Sequence, residues 1–463
     1  MNILLVISDS LRADYLGCYG SDWVRTPHID VLSRRSVSFR RCYSASFPTG
    51  PMRRDLHSGR FTFLYTSWRE EWDPDHPVLA EIMSEAGFRT AMITDTPSNG
   101  ACRRGFDHFH LIEGQAGAGV VTGGGEPDLP ADPRKLRVPM ERLSRILKVE
   151  SSWSGEEDRF VAQTMRAASR WLESRHGEED PFFLCVDTFD PHEPWNPPRF
   201  YIDRYDPGYS GDELFEPAYE PAGYASQAEI DHMRCMYAGE VSLVDRWVGH
   251  LLETLRQSGL DGETCVILTS DHGFYHGEHG LIGKVQLDRE GRIVRRWPLY
   301  DTISHVPLLV KVPGVAARTS DIFCQPPDIM PTVLGICGIE VPEKVQGRPL
   351  LSPPDREVSD DRSWALSSYT YCQDDSVRPP TSLRTKDYLY VYGGDEWPSE
   401  YYDVKEDPAE GRNLIREREE EAEDAHRILV SLLKRLDCPK KSLDLRSDFE
   451  PAKRTDLPLQ RIL

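Results

Sequence analysis

A recurring pattern constrains this chain more than any other feature: short apolar runs that end in acids and hydroxyls. Asn2–Ile7 leads into Ser8-Asp9-Ser10, Thr90–Ile93 into Thr94-Asp95-Thr96, Phe182–Val186 into Asp187, and Thr264–Thr269 into Ser270-Asp271-His272-Gly273. Runs rich in Ile, Leu and Val with no polar alternation read as strands buried on both faces. Between them lie helical stretches at His76–Ala86, Glu156–Arg175 and Gln227–Ser258, and Val306–Val310 reads as a fifth strand. Strands alternating with helices predict an α/β fold with a large, mostly parallel sheet and helices on both faces.

In such a sheet the carboxyl ends of the strands converge on one edge, where ligands bind. Asp9, the group Asp187/Asp190/His192, and the pair Asp271/His272 all fall there. A single aspartate at a strand end often just caps the next helix. Several carboxylates on one edge repel each other unless a cation neutralises them. A divalent metal is the economical expectation, with Asp9, Asp271 and His272 as ligands and Thr49 as a fourth. A second metal, held by Asp187 or Asp190 with His192 and His279, stays open, although Asp-Pro-His is also a turn signature.

Thr49 lies in Ser46-Phe47-Pro48-Thr49-Gly50-Pro51-Met52-Arg53. If Thr49 starts a helix, Pro51 suits its first turn and Arg53 stands one turn on along the same face. The segment then offers a hydroxyl nucleophile, a positive dipole end and a guanidinium for an oxyanion. Taken alone it reads first as a turn and helix start. Downstream, the glycine-spaced loop Gly277–Lys284 carries His279 and Lys284. Read alone, these are a hydrogen-bonded turn histidine and a solvated surface charge. Aromatics such as Trp195 and Tyr201 read either as packing or as a platform for a sugar or aryl ring.

The chain has 463 residues and a net charge of -21, which argues against a phosphate-backbone partner, so no nucleic acid is expected. No signal-like segment precedes the first strand, and no apolar run is long enough for a membrane span. The expectation is a cytoplasmic protein with reduced cysteines and no membrane partner; a homo-oligomer stays open. Residues 111–135 read as an excursion and 196–225 as a substrate-side loop. Beyond residue 355 short hairpin strands and the helix Glu417–Leu436 replace the alternation. The expected division is a catalytic domain over 1–355, a small α+β subdomain over 356–440 and a polar tail over 441–463.

These motifs together resemble the sulfatase family of the alkaline phosphatase superfamily. The likeness runs through Asn2–Asp9, Asp14–Gly20, Thr26–Asp30, Thr49–Arg60, Gly105–Asp107, Asp190–Pro194, Tyr237–Asp245, Ser270–Gly273, His279–Lys284, His305–Leu308 and Tyr402–Pro408 with Asn413-Leu414. It implies an alkaline-phosphatase-like sandwich. It also implies Asp9, Asp271 and His272 as metal ligands, Thr49 at the nucleophile position and Arg53 as its brace. His192, His279 and Lys284 fall near positions that contact the anion or protonate the leaving group. Thr94–Thr96 match a pocket loop loosely.

The chain departs from that family where it matters chemically. Family sulfatases carry Cys or Ser, matured to formylglycine, where Thr49 stands; a threonine cannot form it. Ser10 occupies a position where many have another aspartate, and His272 replaces the asparagine of calcium-type members. Fewer oxygen ligands plus an imidazole lean towards manganese or zinc, with calcium still open. The expected activity is metal-dependent hydrolysis of a small-molecule anionic ester by Thr49. The resemblance points to a sulfate ester, whereas the threonine favours a phosphate or phosphonate ester. The alternative is an inactive protein that binds metal and anion.

Overall fold

The computed structural model describes residues 1–66, 72–73, 75–96, 102–113, 129–137, 140–352, 356–357, 362–370 and 378–449. The strands that matter here are Asn2–Ser8 (β1), Val37–Cys42 (β2), Ser46–Phe47 (β3), Arg89–Thr94 (β4), His108–Leu111 (β5), Phe182–Thr188 (β6), Thr264–Ser270 (β7), Leu308–Lys311 (β8), Arg318–Cys324 (β9), Trp364–Tyr369 (β10), Thr381–Thr385 (β11), Tyr388–Tyr392 (β12) and Glu400–Asp403 (β13). The main helices are Thr49–Ser58 (α1), Phe160–Glu173 (α2), Gln227–Gln257 (α3), Ile329–Cys337 (α4) and Glu419–Arg435 (α5).

The large sheet has the order β9-β2-β8-β7-β1-β6-β4-β5. Its centre is parallel: β1 lies between β6 and β7, and Ser8 stands level with Thr188 and Ser270. That shared register sets Asp9, Asp271 and the residues after β6 at one height on one edge. The expected strand at 306–310 is present as β8, but it runs antiparallel to both neighbours. Every residue of β1, β6 and β7 is buried. Two apolar layers cover the sheet: Leu4, Val6, Leu184 and Val186 face one, Ile3, Leu5, Phe183 and Cys185 the other. This is the period-two alternation of a strand covered on both sides.

The hairpin strands after residue 355 form a second sheet, β13-β12-β11-β10-β3. Its last member is not local. Ser46 and Phe47 pair in parallel with Ser368 and Tyr369. The segment that leads into Thr49 is therefore an edge of the small sheet. Among the described residues expected as a tail, Arg446 is buried and donates to Thr381 Oγ1 at 2.9 Å and Ser368 Oγ at 3.2 Å, while Lys441, Asp444, Ser447 and Asp448 are exposed. Residues 450–463 lie outside the described residues, as does most of the excursion expected at 111–135. No described helix is long and apolar enough to cross a membrane, and nine cysteines are free thiols.

Candidate active site

Helix α1 begins at Thr49, as the Thr-Gly-Pro sequence predicts, and ends at Gly59, whose φ of 67° is a left-handed cap open to glycine. One turn after Thr49, Arg53 is fully buried. Its Nε and Nη2 hold both oxygens of Asp187 at 2.7 and 2.8 Å, and its Nη1 donates to Asp271 Oδ2 at 2.6 Å and to Thr49 O at 3.0 Å. Nη2 also lies 3.3 Å from Asp9 Oδ2. One guanidinium thus ties the ends of three strands to the start of α1. Its donors are directed at three carboxylates and a carbonyl of the chain itself.

Asp9, Asp271 and His272 are fully buried, and each offers a ligand atom within 4.8 Å of the others. Ser10, at φ 60°, adopts a left-handed conformation that non-glycine residues seldom take. It donates its backbone N–H to Asp271 Oδ1 at 2.8 Å and its hydroxyl to Asp9 Oδ1 at 2.8 Å. The imidazole Nδ1 of His272 bonds the Gly273 carbonyl at 2.9 Å. That contact assigns Nδ1 as the protonated nitrogen and leaves Nε2 with its lone pair, 3.5 Å from Asp271 Oδ2 and 3.4 Å from Thr49 Oγ1. Gly273 is required at this turn because a Cβ there would stand 2.3 Å from the Thr302 carbonyl.

The electrostatics fit a cation. Burial, then repulsion from Asp271, push the Asp9 carboxyl well above its ordinary range, and Arg53 and Lys284 only partly offset this. Burial acts on Asp271 in the same sense, but His272, Arg53 and hydrogen bonds from Asp9 and Ser10 override it and hold it low. Burial lowers His272 to about 4, so the imidazole is neutral at pH 7. Asp9 Oδ2 accepts no hydrogen bond among the described residues. Two carboxyl groups, a neutral imidazole with its lone pair inward and a buried carboxyl oxygen that accepts no hydrogen bond make a donor set for a divalent metal.

The remaining expected site residues are distributed less evenly. Lys284 is not the solvated charge its loop suggests: it is buried, 3.9 Å from Glu193 Oε2, and its charge acts on both Asp9 and His272. His192 stacks on Phe189 at 3.9 Å, and its Nδ1 bonds the Glu193 carbonyl at 2.6 Å. His279 stacks on Tyr300 at 3.9 Å in a turn with an exposed ring. The second metal site is not assembled. Asp187 is held by Arg53 and by Thr96 Oγ1 at 3.2 Å, and Asp190 Oδ2 caps α2 through the Val161 N–H at 3.1 Å. Among the described residues the Asp9/Asp271/His272 group alone has metal-ligand spacing. Trp195 is core, packed edge-on to Tyr237 and Phe274.

Two residues with evident roles escaped the sequence reading. Phe47 packs its ring 4.7 Å from His272 and 4.9 Å from Tyr369, so it links the cluster to the small sheet. Glu193 is a fully buried carboxylate between His192 and Lys284. The signal for Glu193 was its place inside the Asp-Pro-His-Glu-Pro turn, where an acid beside a histidine has few other reasons to be.

Known proteins share this fold. Residues 1–339 match the family described as Sulfatase, and residues 290–437 match the one described as N-sulphoglucosamine sulphohydrolase, C-terminal. The chain is similar to an N-acetylglucosamine-6-O-sulfatase of Bacteroides thetaiotaomicron, 24% identical over 89% of this chain and 82% of that protein. It is also similar to arylsulfatase K of Bos taurus, 27% identical over 89% of this chain and 78% of that protein. Among solved structures, the phosphonate monoester hydrolase of Agrobacterium radiobacter shares the fold with a TM-score of 0.72 at 20% identity, covering 94% and 96% of the two chains.

Proposed function

Since the chain belongs to the sulfatase family and is a hydrolase of ester bonds, we propose that it cleaves a phosphate or phosphonate ester with Thr49 as nucleophile and one divalent metal, manganese or zinc. The observation that carries this reading is the Thr49 hydroxyl at the start of α1, 3.4 Å from His272 Nε2 beside the acid pair. Asp9, Asp271, His272 and Thr49 would hold the metal, which when bound supplies positive charge and lowers the hydroxyl pKa.

Thr49 Oγ attacks phosphorus while the ester oxygen departs in line. Lys284 and the amino-terminal end of α1 face the charge that develops on the equatorial oxygens. Arg53 keeps the Thr49 backbone and the two strand-end acids in place. His192 gives its proton to the leaving oxygen. Water then attacks the phospho-threonine at phosphorus and frees the Thr49 oxygen. A threonine has one hydroxyl and no route to the aldehyde hydrate with which family sulfatases expel sulfate. Phosphorus is therefore the better fit. The family likeness to sulfatases, and that to a phosphonate monoester hydrolase, are both compatible with an anionic tetrahedral centre.

The test is turnover of nitrophenyl sulfate, phosphate mono- and diesters and a phosphonate monoester, each with manganese, zinc and calcium, by the wild type and by Thr49→Ala. The expected result is preference for a phosphorus ester and loss of turnover in the variant. Preference for the sulfate ester would overturn the choice of substrate. Activity retained by Thr49→Ala would overturn the nucleophile.

A further inference from the structure

We propose that Glu193 is the positioning residue that orients His192 for its work on the leaving group, and that Arg137 and Tyr219 fix Glu193 for this task. The inference rests on the ester-hydrolase reading above. Glu193 has no exposed surface, and its two oxygens have different surroundings. Oε1 takes a hydrogen bond from Arg137 Nη1 at 2.7 Å and another from the Tyr219 hydroxyl. Oε2 accepts no hydrogen bond among the described residues, yet lies 3.9 Å from Lys284 Nζ and 3.2 Å from His192 Nδ1, which bonds the backbone carbonyl of Glu193 itself at 2.6 Å, so that Glu193 flanks this nitrogen with both its carbonyl and its carboxylate.

A buried carboxylate with one oxygen clamped and the other beside an imidazole and an ammonium group needs a reason. The clamp is itself built. The Arg137 guanidinium lies over the Tyr219 ring at 4.3 Å, and its backbone N–H donates to the Glu216 carbonyl at 2.9 Å. Arg137, His192, Tyr219 and Lys284 come from four separate stretches of chain, and Glu193 is their common partner. An orienting carboxylate beside an imidazole Nδ1–H stabilises the imidazolium, which is the form that can donate.

In the proposed step, the proton on His192 Nε2 passes to the ester oxygen as its bond to phosphorus breaks. The neutral imidazole, still bonded through Nδ1, regains a proton from the water that cleaves phospho-Thr49. Glu193 changes no bond.

A residue that merely anchors the excursion at Arg137 would affect all substrates alike. A residue that acts through the leaving-group proton would not, because a nitrophenolate departs without one. The test therefore compares an alkyl ester with a nitrophenyl ester of the same acid in wild type, Glu193→Gln and Glu193→Asp. For Glu193→Gln, kcat/KM on the alkyl ester is expected to fall about a hundredfold and that on the nitrophenyl ester less than about threefold. Glu193→Asp, with the charge kept at shorter reach, is expected to fall between wild type and Gln on the alkyl ester only. Equal losses on both esters, or none on either, overturn the proposal. If Glu193→Gln does not fold, the Asp variant decides by the same criterion. Absence of turnover in the wild type on every ester instead overturns the hydrolase reading.

Discussion

At the scale of single residues, the site is organised by Arg53. Its guanidinium meets Asp9, Asp187 and Asp271 in a space that solvent does not reach. Breaking such a buried set by removing one partner costs about 3–5 kcal/mol, because charges are left unpaired. Arg53→Ala is therefore expected to lower the urea midpoint of unfolding by that amount of stability. Arg53→Lys keeps the charge but loses the planar fork on Asp187, and is expected to fall between the two. A second residue tests the interior from the other end of α1. Both ring nitrogens of His57 lack hydrogen bonds among the described residues. Burial, then the nearby Arg53 charge, lower it from 6.5 to about 3. In the unfolded chain this group takes a proton near pH 6.5, so the folded state is fully favoured above that and loses stability as pH falls toward 3. His57→Phe removes the titration. The stability of wild type relative to the variant is expected to fall by about 2–3 kcal/mol between pH 7 and pH 4.5, measured by denaturant unfolding at the two values. These residues differ in how legible they were. Asp9, Asp271 and His272 follow apolar runs, so their place on the sheet edge could be read. Arg53 could be put on the Thr49 face, but its hydrogen bonds to Asp187 and Asp271 reach acids more than a hundred positions away, which no local pattern shows.

At the scale of elements, the link that matters is the two-residue strand β3. It is too short to show periodicity, and its partner β10 lies more than three hundred residues later. Sequence reading placed Ser46 and Phe47 in the catalytic segment and the hairpins in a separate unit, and had no means to join them. The structure joins them through Tyr369, which is buried. Its ring meets Phe47 at 4.9 Å, and its hydroxyl donates to the Trp297 carbonyl at 2.7 Å and contacts the Lys284 carbonyl at 3.3 Å. Phe47 in turn leans on His272. Tyr369→Ala is expected to destabilise the fold by about 3–5 kcal/mol and to weaken divalent-metal affinity about tenfold, since a ring that orients a ligand loses its own support. Tyr369→Phe keeps the ring and is expected to lose about 1 kcal/mol with metal affinity unchanged. Thermal shift on titration with manganese or zinc reads both quantities. An unchanged affinity in Tyr369→Ala would show that His272 is oriented without this chain of rings.

At the scale of the whole molecule, the question is whether the small sheet is a separate folding unit. The change of pattern near residue 355 suggested a boundary, and the parallel core and the helix Glu419–Arg435 were legible from their patterns. The contacts across that boundary were not, because they are made by single polar groups spread along the chain. Arg362 holds both oxygens of Asp328 at 2.6 and 2.9 Å, at the entry to α4. The Gln325 side chain exchanges hydrogen bonds with the Leu366 backbone at 2.7 and 3.1 Å. Tyr300 donates to Glu400 at 2.6 Å, and the Asp301 N–H donates to Glu410 at 3.0 Å. Most of these groups are buried, so a chain that ended at residue 355 would take Arg362 from Asp328, the Leu366 backbone from Gln325, Glu400 from the Tyr300 hydroxyl and Tyr369 from the Phe47 ring. At about 1–3 kcal/mol for each group left unsatisfied, such losses are comparable with the margin of about 5–15 kcal/mol by which a domain is stable. The full chain is accordingly expected to unfold in one calorimetric transition, and a 1–355 truncation to show no cooperative transition and to bind an apolar dye at 25 °C. Two resolved transitions in the full chain, or a truncation that melts cooperatively near the temperature of the full chain, would mean that the catalytic layer stands without the small sheet and that the pairing of β3 with β10 is dispensable.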